Sequence, residues 1–123
     1  MKMNVEVKTE LVKRLRSGNY RQGNNYLNKA GKFCCLGVLC EIAVENGICE
    51  RKIDDDYFSN GATYIDDTTS QYGASGVPSR KVTCWAFNEI FIPKDKLGQS
   101  LVTMNDTLKW SFEQIADFIE ESL

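Results

Sequence analysis

Apolar residues recur at helical spacing near the start of the chain. Val7, Leu11 and Leu15 are four positions apart, and Lys or Arg fill much of the opposite side. This amphipathic pattern predicts a helix over Val5–Arg16. Gly18 is suited to ending it, because glycine readily adopts the left-handed conformation found just after helix ends.

Two later segments have the short patterns of β-hairpins. Residues 19–33 alternate weakly and contain two glycines, which predicts a hairpin that turns at Lys29–Gly31. In YFSNGATYI, residues 57–65, the pair Asn60–Gly61 lies between two aromatic runs, which is a strong local signal for a hairpin turn. A further short strand is predicted near Leu101–Met104.

The stretch KFCCLGVLCEIAVENG, residues 32–47, is apolar on nearly every side of a helical wheel. Only Glu41 and Glu45, one turn apart, form a narrow polar stripe. A helix of this kind is predicted to be buried at the centre of the domain. Gly37 lowers the helix propensity, so we expect it to allow the close approach of another element, and Gly47 is expected to follow the helix end.

Two more helices are predicted in the second half of the chain. Val77–Pro78 closes a Gly- and Ser-rich loop over residues 66–79 and opens a helix. The last helix begins at Ser111, where Gln114 completes a capping-box pattern. The apolar residues expected to face the core from these two helices are Val82, Trp85, Ala86, Phe112, Ile115, Ala116, Ile119 and Leu123.

These elements predict an α+β fold in which three to four helices pack on a small antiparallel sheet. A chain of 123 residues, 42% hydrophobic and 26% charged, suits one globular domain over residues 1–123. The longest apolar run, Cys34–Cys40, is too short to cross a bilayer, and the first ten residues lack the apolar segment of a signal peptide. We therefore expect a cytoplasmic protein without a membrane partner, whose five cysteines are free thiols.

Cysteine and histidine usage restricts the chemistry. The chain has no histidine and no C-x₂-C pair, which argues against a zinc site and against a thioredoxin-like redox pair. We predict no metal and no cofactor. Cys34 lies near a helix start, where the helix dipole favours thiolate, and this supports a thiol-dependent enzyme as an alternative. The favoured interpretation is that the cysteines are small buried residues, with Cys35 and Cys40 shielded from thiol reagents.

Carboxylates are the remaining candidates for acid–base catalysis, because the usual base is missing. They are Asp54–Asp56, Asp66–Asp67, Glu41 and Asp106. The first two groups flank the predicted hairpin and would suit an ion bound through oxygen atoms, although they lack the order of a calcium loop. An acidic run beside a turn is more often a solvated surface, so a carboxylate-dependent enzyme stays an alternative and no catalytic residue is assigned.

Positive charge is concentrated at the N-terminal end. Residues 1–32 contain eight Lys or Arg and two Glu, whereas the net charge of the whole chain is −2. A basic segment with Tyr20 and Tyr26 interleaved beside Arg21 is one pattern of nucleic-acid binding. The sequence pI near 5.2 argues against that function, and pairing with the chain's own acidic part is the favoured interpretation.

Five polar residues are the candidates for contact with a ligand or partner. They are Arg21, Gln22, Tyr26, Asn105 and Asp106. Asn105–Asp106 precedes the capped helix, and loops held by rigid helices often carry function. The simpler interpretation is that these two residues form the preceding turn. A pocket lined by Gln22, Asn105 and Asp106 would favour the functional interpretation.

Three motifs resemble a family of small proteins encoded by tailed bacteriophages and prophages. RSGNYRQG (16–23), KFCCLGVLCEIA (32–43) and MNDTLKWSFEQIADFIE (104–120) are similar to its R-S-G-x-Y-x-Q-G lead, its F-C-C-L-G-V-L-C helix and its closing L-N-D…S-F-x-x-I-A-D-x-I-E helix, with Met104 in place of the leucine. The likeness covers the two ends, and the middle resembles the family in VPSRKVTCWAF. The resemblance implies a phage context and no mechanism.

The function expected from these observations is that of a small phage accessory protein that binds rather than catalyses. The resemblance implies host takeover or counter-defence, by sequestering a nucleotide immune signal or by blocking a host defence protein in the bacterial cytoplasm. The partner is then a host protein or a small nucleotide, nucleic acid is not favoured, and a homo-oligomer stays open. The alternatives are a carboxylate- or thiol-dependent enzyme and a nucleic-acid binder that uses the basic N-terminal segment.

Overall fold

The computed structural model describes residues 3–54, 61–67, 78–87, 101 and 103–123. This part of the chain combines α-helices with a five-stranded sheet, which confirms the α+β fold class. The helices are α1 (Val5–Arg16), α2 (Cys35–Glu45), α3 (Arg80–Phe87) and α4 (Phe112–Ser122), with a π-helical turn over Thr103–Thr107. The strands are β1 (Arg21–Gln22), β2 (Asn28–Lys29), β3 (Lys32–Phe33), β4 (Glu50–Asp54) and β5 (Gly61–Ile65).

Helix α1 covers the range that the sequence predicts. The side chain of Asn4 accepts a hydrogen bond from the Glu6 N–H at 3.0 Å and so caps the first turn. Gly18, just beyond the end, has a φ of 78°, as expected of a residue that terminates a helix. The buried face of α1 packs against α2 and α4, and it consists of Val7, Leu11, Val12 and Leu15.

The sheet has the strand order β1-β3-β2-β5-β4. Strands β2 and β3 form the predicted hairpin, and Ala30 and Gly31 have φ angles of 54° and 75°, as a tight two-residue turn requires. Strand β1 pairs with β3 in parallel, so the sheet is mixed where the sequence predicts an antiparallel one. The reason is the connection over residues 23–27, which crosses from one side of β3 to the other, so that β1 and β3 run in the same direction.

The second predicted hairpin forms with a different pairing. Strand β5 is the predicted second strand, but its antiparallel partner is β4, and Asp54 lies opposite Gly61. The prediction that Gly61 belongs to the turn is therefore wrong, and residues 55–60 lie outside the described part of the chain. A Cβ at Gly61 would lie 2.3 Å from the carbonyl oxygen of Asn28, so glycine is needed here for the close approach of β2 and β5.

Helix α2 is the buried central helix that its composition predicts. A Cβ at Gly37 would lie 1.7 Å from the carbonyl oxygen of Leu27, so the close approach expected at this glycine is confirmed. Gly47 has a φ of 72° and follows the helix end as predicted. The buried residues of α2 are Cys35, Leu36, Gly37, Val38, Leu39, Cys40, Ile42 and Ala43.

Helices α3 and α4 begin with side-chain caps. The hydroxyl of Ser79, which follows Pro78, accepts from the Val82 N–H at 3.2 Å at the start of α3. At the start of α4, the Gln114 N–H donates to the Ser111 hydroxyl at 3.2 Å, and the Ser111 N–H donates to Gln114 Oε1 at 2.9 Å. The predicted capping box is thus confirmed.

The prediction of a strand near Leu101–Met104 is wrong. Thr103–Thr107 forms a π-helical turn instead, and this turn carries Asn105 into the core. The local pattern of apolar residues is overridden because the Asn105 side chain bonds to the backbone of Gly23 and Cys35, which are distant in sequence. Residue 102 lies outside the part of the chain that the structure describes.

Buried apolar side chains form a cluster between the sheet and the helices. Leu27, Leu39 and Ile115 are among its largest fully buried members. Within the described ranges, no helix combines the length and the apolar character needed to cross a membrane. The cluster holds β1, the start of α2 and the start of α4 near one another, and the polar candidate residues lie where these three elements meet.

Candidate functional site

Gln22 joins three parts of the chain through its side-chain amide. Its Nε2 donates to Asn105 Oδ1 at 2.9 Å and to the carbonyl oxygen of Trp110 at 2.7 Å. Its Oε1 accepts from the N–H of Phe112, the first residue of α4, at 3.1 Å. Gln22 therefore satisfies one of the N–H groups that a helix start leaves free, and it ties β1 to the C-terminal part of the chain.

Asn105 is fully buried and uses both ends of its amide. Its Oδ1, which receives the bond from Gln22, also accepts from the Cys35 N–H at the start of α2, at 3.3 Å. Its Nδ2 donates to the Gly23 carbonyl oxygen and to Asp106 Oδ1, both at 2.8 Å. The amide therefore has partners for both of its hydrogens and for its oxygen. Gln22 and Asn105 together are called the polar hub below.

Three of the candidate residues make contacts within the chain that account for their presence by a structural role. The structure brings Gln22, Asn105 and Asp106 together, but Asn105 is buried and its hydrogen bonds are made within the chain. Asp106 is half-buried and accepts from Asn105. These contacts fix β1, α2 and α4 relative to one another. A satisfied buried network of this kind specifies a fold, and it leaves Asn105 without a free group for a ligand.

The five cysteines are free thiols, as the sequence predicts. Burial raises the pKa values of the Cys34 and Cys49 thiols to about 11. Burial also raises the pKa values of Cys35 and Cys40, which are 1% and 0% exposed. A nucleophilic cysteine needs a lowered pKa, so these thiols give no support to a thiol-dependent enzyme. Their burial agrees with the expectation that Cys35 and Cys40 are shielded from reagents.

The carboxylates singled out from the sequence are engaged with neighbours where they are described. Glu41 accepts from the Tyr64 hydroxyl at 2.6 Å and from the Arg51 guanidinium at 2.5 Å. Asp66–Asp67 bonds to side chains at the N-terminal end of α3. No group of three His, Cys, Asp or Glu among the described residues is arranged to hold a metal ion. Residues 55–56 lie outside that part of the chain, so the ion-binding interpretation of their acidic run stays open.

Part of the N-terminal positive charge is paired within the chain. Arg16 on α1 contacts Asp117 and Glu120 on α4 at 2.6 Å and 2.9 Å. Arg14 contacts Glu10 one turn earlier on α1 at 2.8 Å. The interpretation of the basic segment as internally paired is therefore confirmed for the end of α1.

A surface cavity of about 440 Å³ lies between α1 and the end of α2. Its charged lining residues include Lys13, Arg14, Glu10 and Glu45. Arg14 bonds to both glutamates and to the hydroxyl of Tyr20. Arg14, the two glutamates and the Tyr20 hydroxyl satisfy one another. None of the five candidate residues lines the cavity, so it gives no support to the predicted site.

Three other basic residues form a row across the small sheet. Arg21 on β1 lies opposite Lys32 on β3, and Lys32 lies opposite Lys29 on β2. Residues directly opposite one another share a face of a sheet, so these three side chains leave the same face. The adjacent positions, Gln22 and Phe33, make inward contacts with the hub and the core. The row, called the cationic row below, therefore lies on the outer face.

The cationic row places three like charges at neighbouring positions. Adjacent strands are about 4.8 Å apart, so the row spans about 10 Å. Like charges directly opposite one another destabilise a sheet, and none of the three forms an ion pair within the described residues. Arg21 and Lys32 are exposed. An arrangement with an electrostatic cost and no internal counter-charge is suited to binding an anion.

Tyr26 lies beside the cationic row. The Nζ of Lys29 is 4.1 Å from the centre of the Tyr26 ring, which is a cation–π contact, and Tyr26 is 41% exposed. Tyr20 differs, because its ring packs edge-on against Phe33 at 5.1 Å. Of the candidate residues, Arg21 and Tyr26 are thus at the outer face. Lys29 and Lys32 are not among the residues predicted from the sequence, since the parallel pairing that sets Lys32 opposite Arg21 has no local signal.

Residues 3–123 match the model of one protein family, the Domain of unknown function (DUF8296). Because the match covers nearly the whole chain, the chain belongs to this family. No curated protein and no solved structure matches it. The family description assigns no activity, so a function has to be inferred from the residues themselves.

Proposed function

We propose that this member of the DUF8296 family acts by binding an anionic partner through the cationic row, and that it does so without catalysis. The observation that carries the proposal is the row itself, in which Arg21, Lys32 and Lys29 occupy directly opposite positions on three strands. Their mutual repulsion raises the free energy of the unbound protein. An anion bound on this face relieves that repulsion, so the arrangement is explained by a partner and not by the fold.

Binding is favoured over catalysis because the other reactive groups are buried or hydrogen-bonded within the chain. The thiols of Cys35 and Cys40 are buried and protonated at neutral pH. Glu41 is held by two hydrogen-bond donors, and the polar hub uses its amides to join elements of the fold. These groups support structure, whereas Arg21 and Lys32 of the cationic row and the neighbouring Tyr26 are exposed.

The setting we propose is a bacteriophage accessory protein that works in the cytoplasm of its bacterial host. This part of the proposal is supported by the three motifs that resemble the tailed-phage family. The role is host takeover or counter-defence, in which the protein sequesters a nucleotide immune signal or covers the surface of a host defence protein. Both kinds of partner can present negative charge to the row.

A capture experiment with charge-matched variants tests the proposal. The protein is immobilised and exposed to bacterial lysate, and retained proteins and small molecules are identified by mass spectrometry. The test variant is Lys29→Gln/Lys32→Gln, and the control is Lys8→Gln/Lys13→Gln on α1, which removes the same charge away from the row. We expect a specific partner to be retained by the wild type and the control, with at least about tenfold less on the test variant.

The dependence of capture on salt and on the variants shows whether the retained partner binds through the cationic row. About 0.5 M salt should release the partner, because the Debye length falls below about 5 Å and the charges of the row are screened. Equal retention of every specific partner by the wild type and by Lys29→Gln/Lys32→Gln would show that the row is not the binding face, and the proposal would then fail.

A further inference from the structure

We infer that the ligand of the cationic row is a short oligonucleotide of two or three nucleotides, with its phosphates on the row and one base stacked on Tyr26. The inference rests on the proposed function, because it identifies the ligand of the same face. Its three grounds are the chemistry of the row, the length of the row and the position of the tyrosine ring.

The side chains of the row match phosphate groups. Arg21 offers a planar guanidinium, which binds phosphate oxygens in pairs, and Lys29 and Lys32 offer point charges. The three positions are separated by about 4.8 Å from strand to strand, so phosphates of one extended chain can each approach a different cation. A ligand with a single negative charge would neutralise only part of the row and leave the remaining repulsion in place.

The length of the row limits the length of the ligand. Strand β1 is one edge of the sheet, so the row begins there. On the other side, the line of opposite residues continues from Lys29 to Gly61 and then to Asp54. Glycine has no side chain, so the line of cations stops at Lys29. Lys52, which is exposed on the same face of β4, lies opposite Thr63 and is two positions away from this line. The unbroken line of cations is therefore about 10 Å long, which accommodates about two or three phosphates of one chain.

The tyrosine favours a nucleotide over an acidic peptide. Tyr26 has 41% of its surface exposed although Lys29 Nζ lies over its ring. A positive surface combined with an exposed aromatic ring is the common arrangement for single-stranded nucleic acid, in which the bases stack and the phosphates pair. An acidic peptide uses the cations alone and gives the ring no defined partner. The position of Tyr26 next to the row therefore indicates a ligand that carries both phosphate and base.

Three probes test the inference by calorimetry or fluorescence anisotropy on the full chain. The first is 5′-phosphorylated triadenylate, which has three phosphates and three bases. The second is inorganic tripolyphosphate, which has phosphates but no bases. The third is hexaglutamate, which has neither phosphates nor bases. We expect triadenylate to bind most tightly. The logarithm of its affinity should fall with the logarithm of salt concentration with a slope of about −2, because about 0.7 counterions are released for each neutralised phosphate of a single strand.

Variants separate the contribution of the charges from that of the ring. Lys29→Gln/Lys32→Gln should weaken triadenylate binding at least about tenfold and reduce the salt slope to about −0.7. Tyr26→Ala should weaken triadenylate about tenfold through loss of stacking, and it should leave tripolyphosphate binding within about twofold. The control Lys8→Gln/Lys13→Gln should bind all three probes as the wild type does.

The outcomes distinguish this inference from the function on which it rests. Hexaglutamate that binds more tightly than triadenylate, and that loses affinity in the row variant, would overturn the oligonucleotide inference and leave the anion-binding function standing. A strand of about 20 nucleotides offers about 18 overlapping three-nucleotide registers. Affinity for each register that rises more than about tenfold above that of triadenylate would overturn the limit on length. Triadenylate binding that is indifferent to the row variant, together with unchanged capture from lysate, would overturn both.

Discussion

The polar hub and the cationic row lie on opposite faces of the same two-residue strand. Gln22 of β1 is directed inwards, where its amide bonds to Asn105 and to two backbone groups. Arg21, the residue before it, is on the outer face opposite Lys32. In the hub the polar groups have partners, whereas in the row no ion pair forms within the described residues. The contrast separates residues that hold the fold together from residues that are available to a partner.

Residue type alone does not reveal this difference. Arg21, Gln22, Tyr26 and Asn105 are all polar residues in segments that the sequence marks as loops or short strands, and they all qualify as candidates for binding. The structure divides them by burial and by the number of partners. The two amides are part of the hub, and Arg21 and Tyr26 lie on the outer face. A residue is a stronger candidate for binding a partner when its position lowers the stability of the fold and no neighbouring residue offsets that loss.

Asn105→Ala is expected to break the hub and to have the largest effect. The substitution removes the acceptor of the Gln22 amide and of the Cys35 N–H, and it removes the donor to the Gly23 carbonyl. Each buried polar group left unpaired costs about 1–3 kcal/mol, so we expect the free energy of unfolding to fall by about 3 kcal/mol or more. Urea denaturation measures the change. Asn19→Ala, at an exposed position, should stay within about 0.5 kcal/mol, and a loss below about 1 kcal/mol for Asn105→Ala would contradict the role of the hub.

The parts of the fold that the sequence predicts well are those with local causes. Helix α1 has the predicted bounds because its apolar spacing and the following Gly18 act within a few residues of each other. The capping box at Ser111 and the buried character of α2 are local in the same sense. These features follow from helix periodicity and from hydrogen bonding between near neighbours, which one sequence contains in full.

The parts that the sequence does not reveal depend on contacts between distant residues. The π-helical turn replaces a predicted strand because Asn105 bonds to Gln22, which is 83 positions away. Gly61 belongs to a strand because its backbone passes close to Asn28 on β2. The cationic row exists only once the pairing register aligns Lys32 with both of its neighbours, and register depends on the whole sheet. Of the residues on or beside the outer face, the sequence therefore predicts Arg21 and Tyr26 as candidates, and it does not reveal the row.

Raising the pH is expected to lower the stability of the folded protein through its buried cysteines. Burial raises the pKa of the Cys34 thiol from its ordinary value of 9.0 to about 11. A pKa that is higher in the folded state makes a contribution to stability that is complete below about pH 9 and is lost as the pH rises through 11. We expect Cys34 to account for a loss of about 1 kcal/mol in the free energy of unfolding between about pH 8 and 10. Cys49 acts in the same direction.

The matched variant for this measurement is Cys34→Ala. It removes the titrating thiol, so the decline in its free energy of unfolding between about pH 8 and 10 should be shallower by about 1 kcal/mol than that of the wild type. The other side chains are the same in both proteins, so their contributions cancel in the difference. Parallel curves for the two proteins would contradict the assignment and would place the alkaline sensitivity elsewhere.

Lys32→Gln is expected to have the smallest effect on stability, and the effect should be of opposite sign. Lys32 lies between Arg21 and Lys29, so its neutralisation removes both repulsions of the row. We expect the free energy of unfolding to rise by about 0.2–1 kcal/mol at about 10 mM salt, where screening is weak. The gain should vanish at about 1 M salt, because the Debye length is then about 3 Å.

The matched control for Lys32→Gln is Lys13→Gln, an exposed lysine on α1 without a like charge directly opposite it on a strand. It removes the same net charge, so it should change the stability by less than Lys32→Gln at low salt. If Lys32→Gln lowers the stability at low salt, the row is not under repulsion and the argument for an anionic partner loses its basis. If the stability rises while binding of triadenylate weakens, one substitution improves the fold and impairs the ligand site. That combination is what distinguishes a residue of the cationic row from a residue of the polar hub, where loss of stability and loss of structure go together.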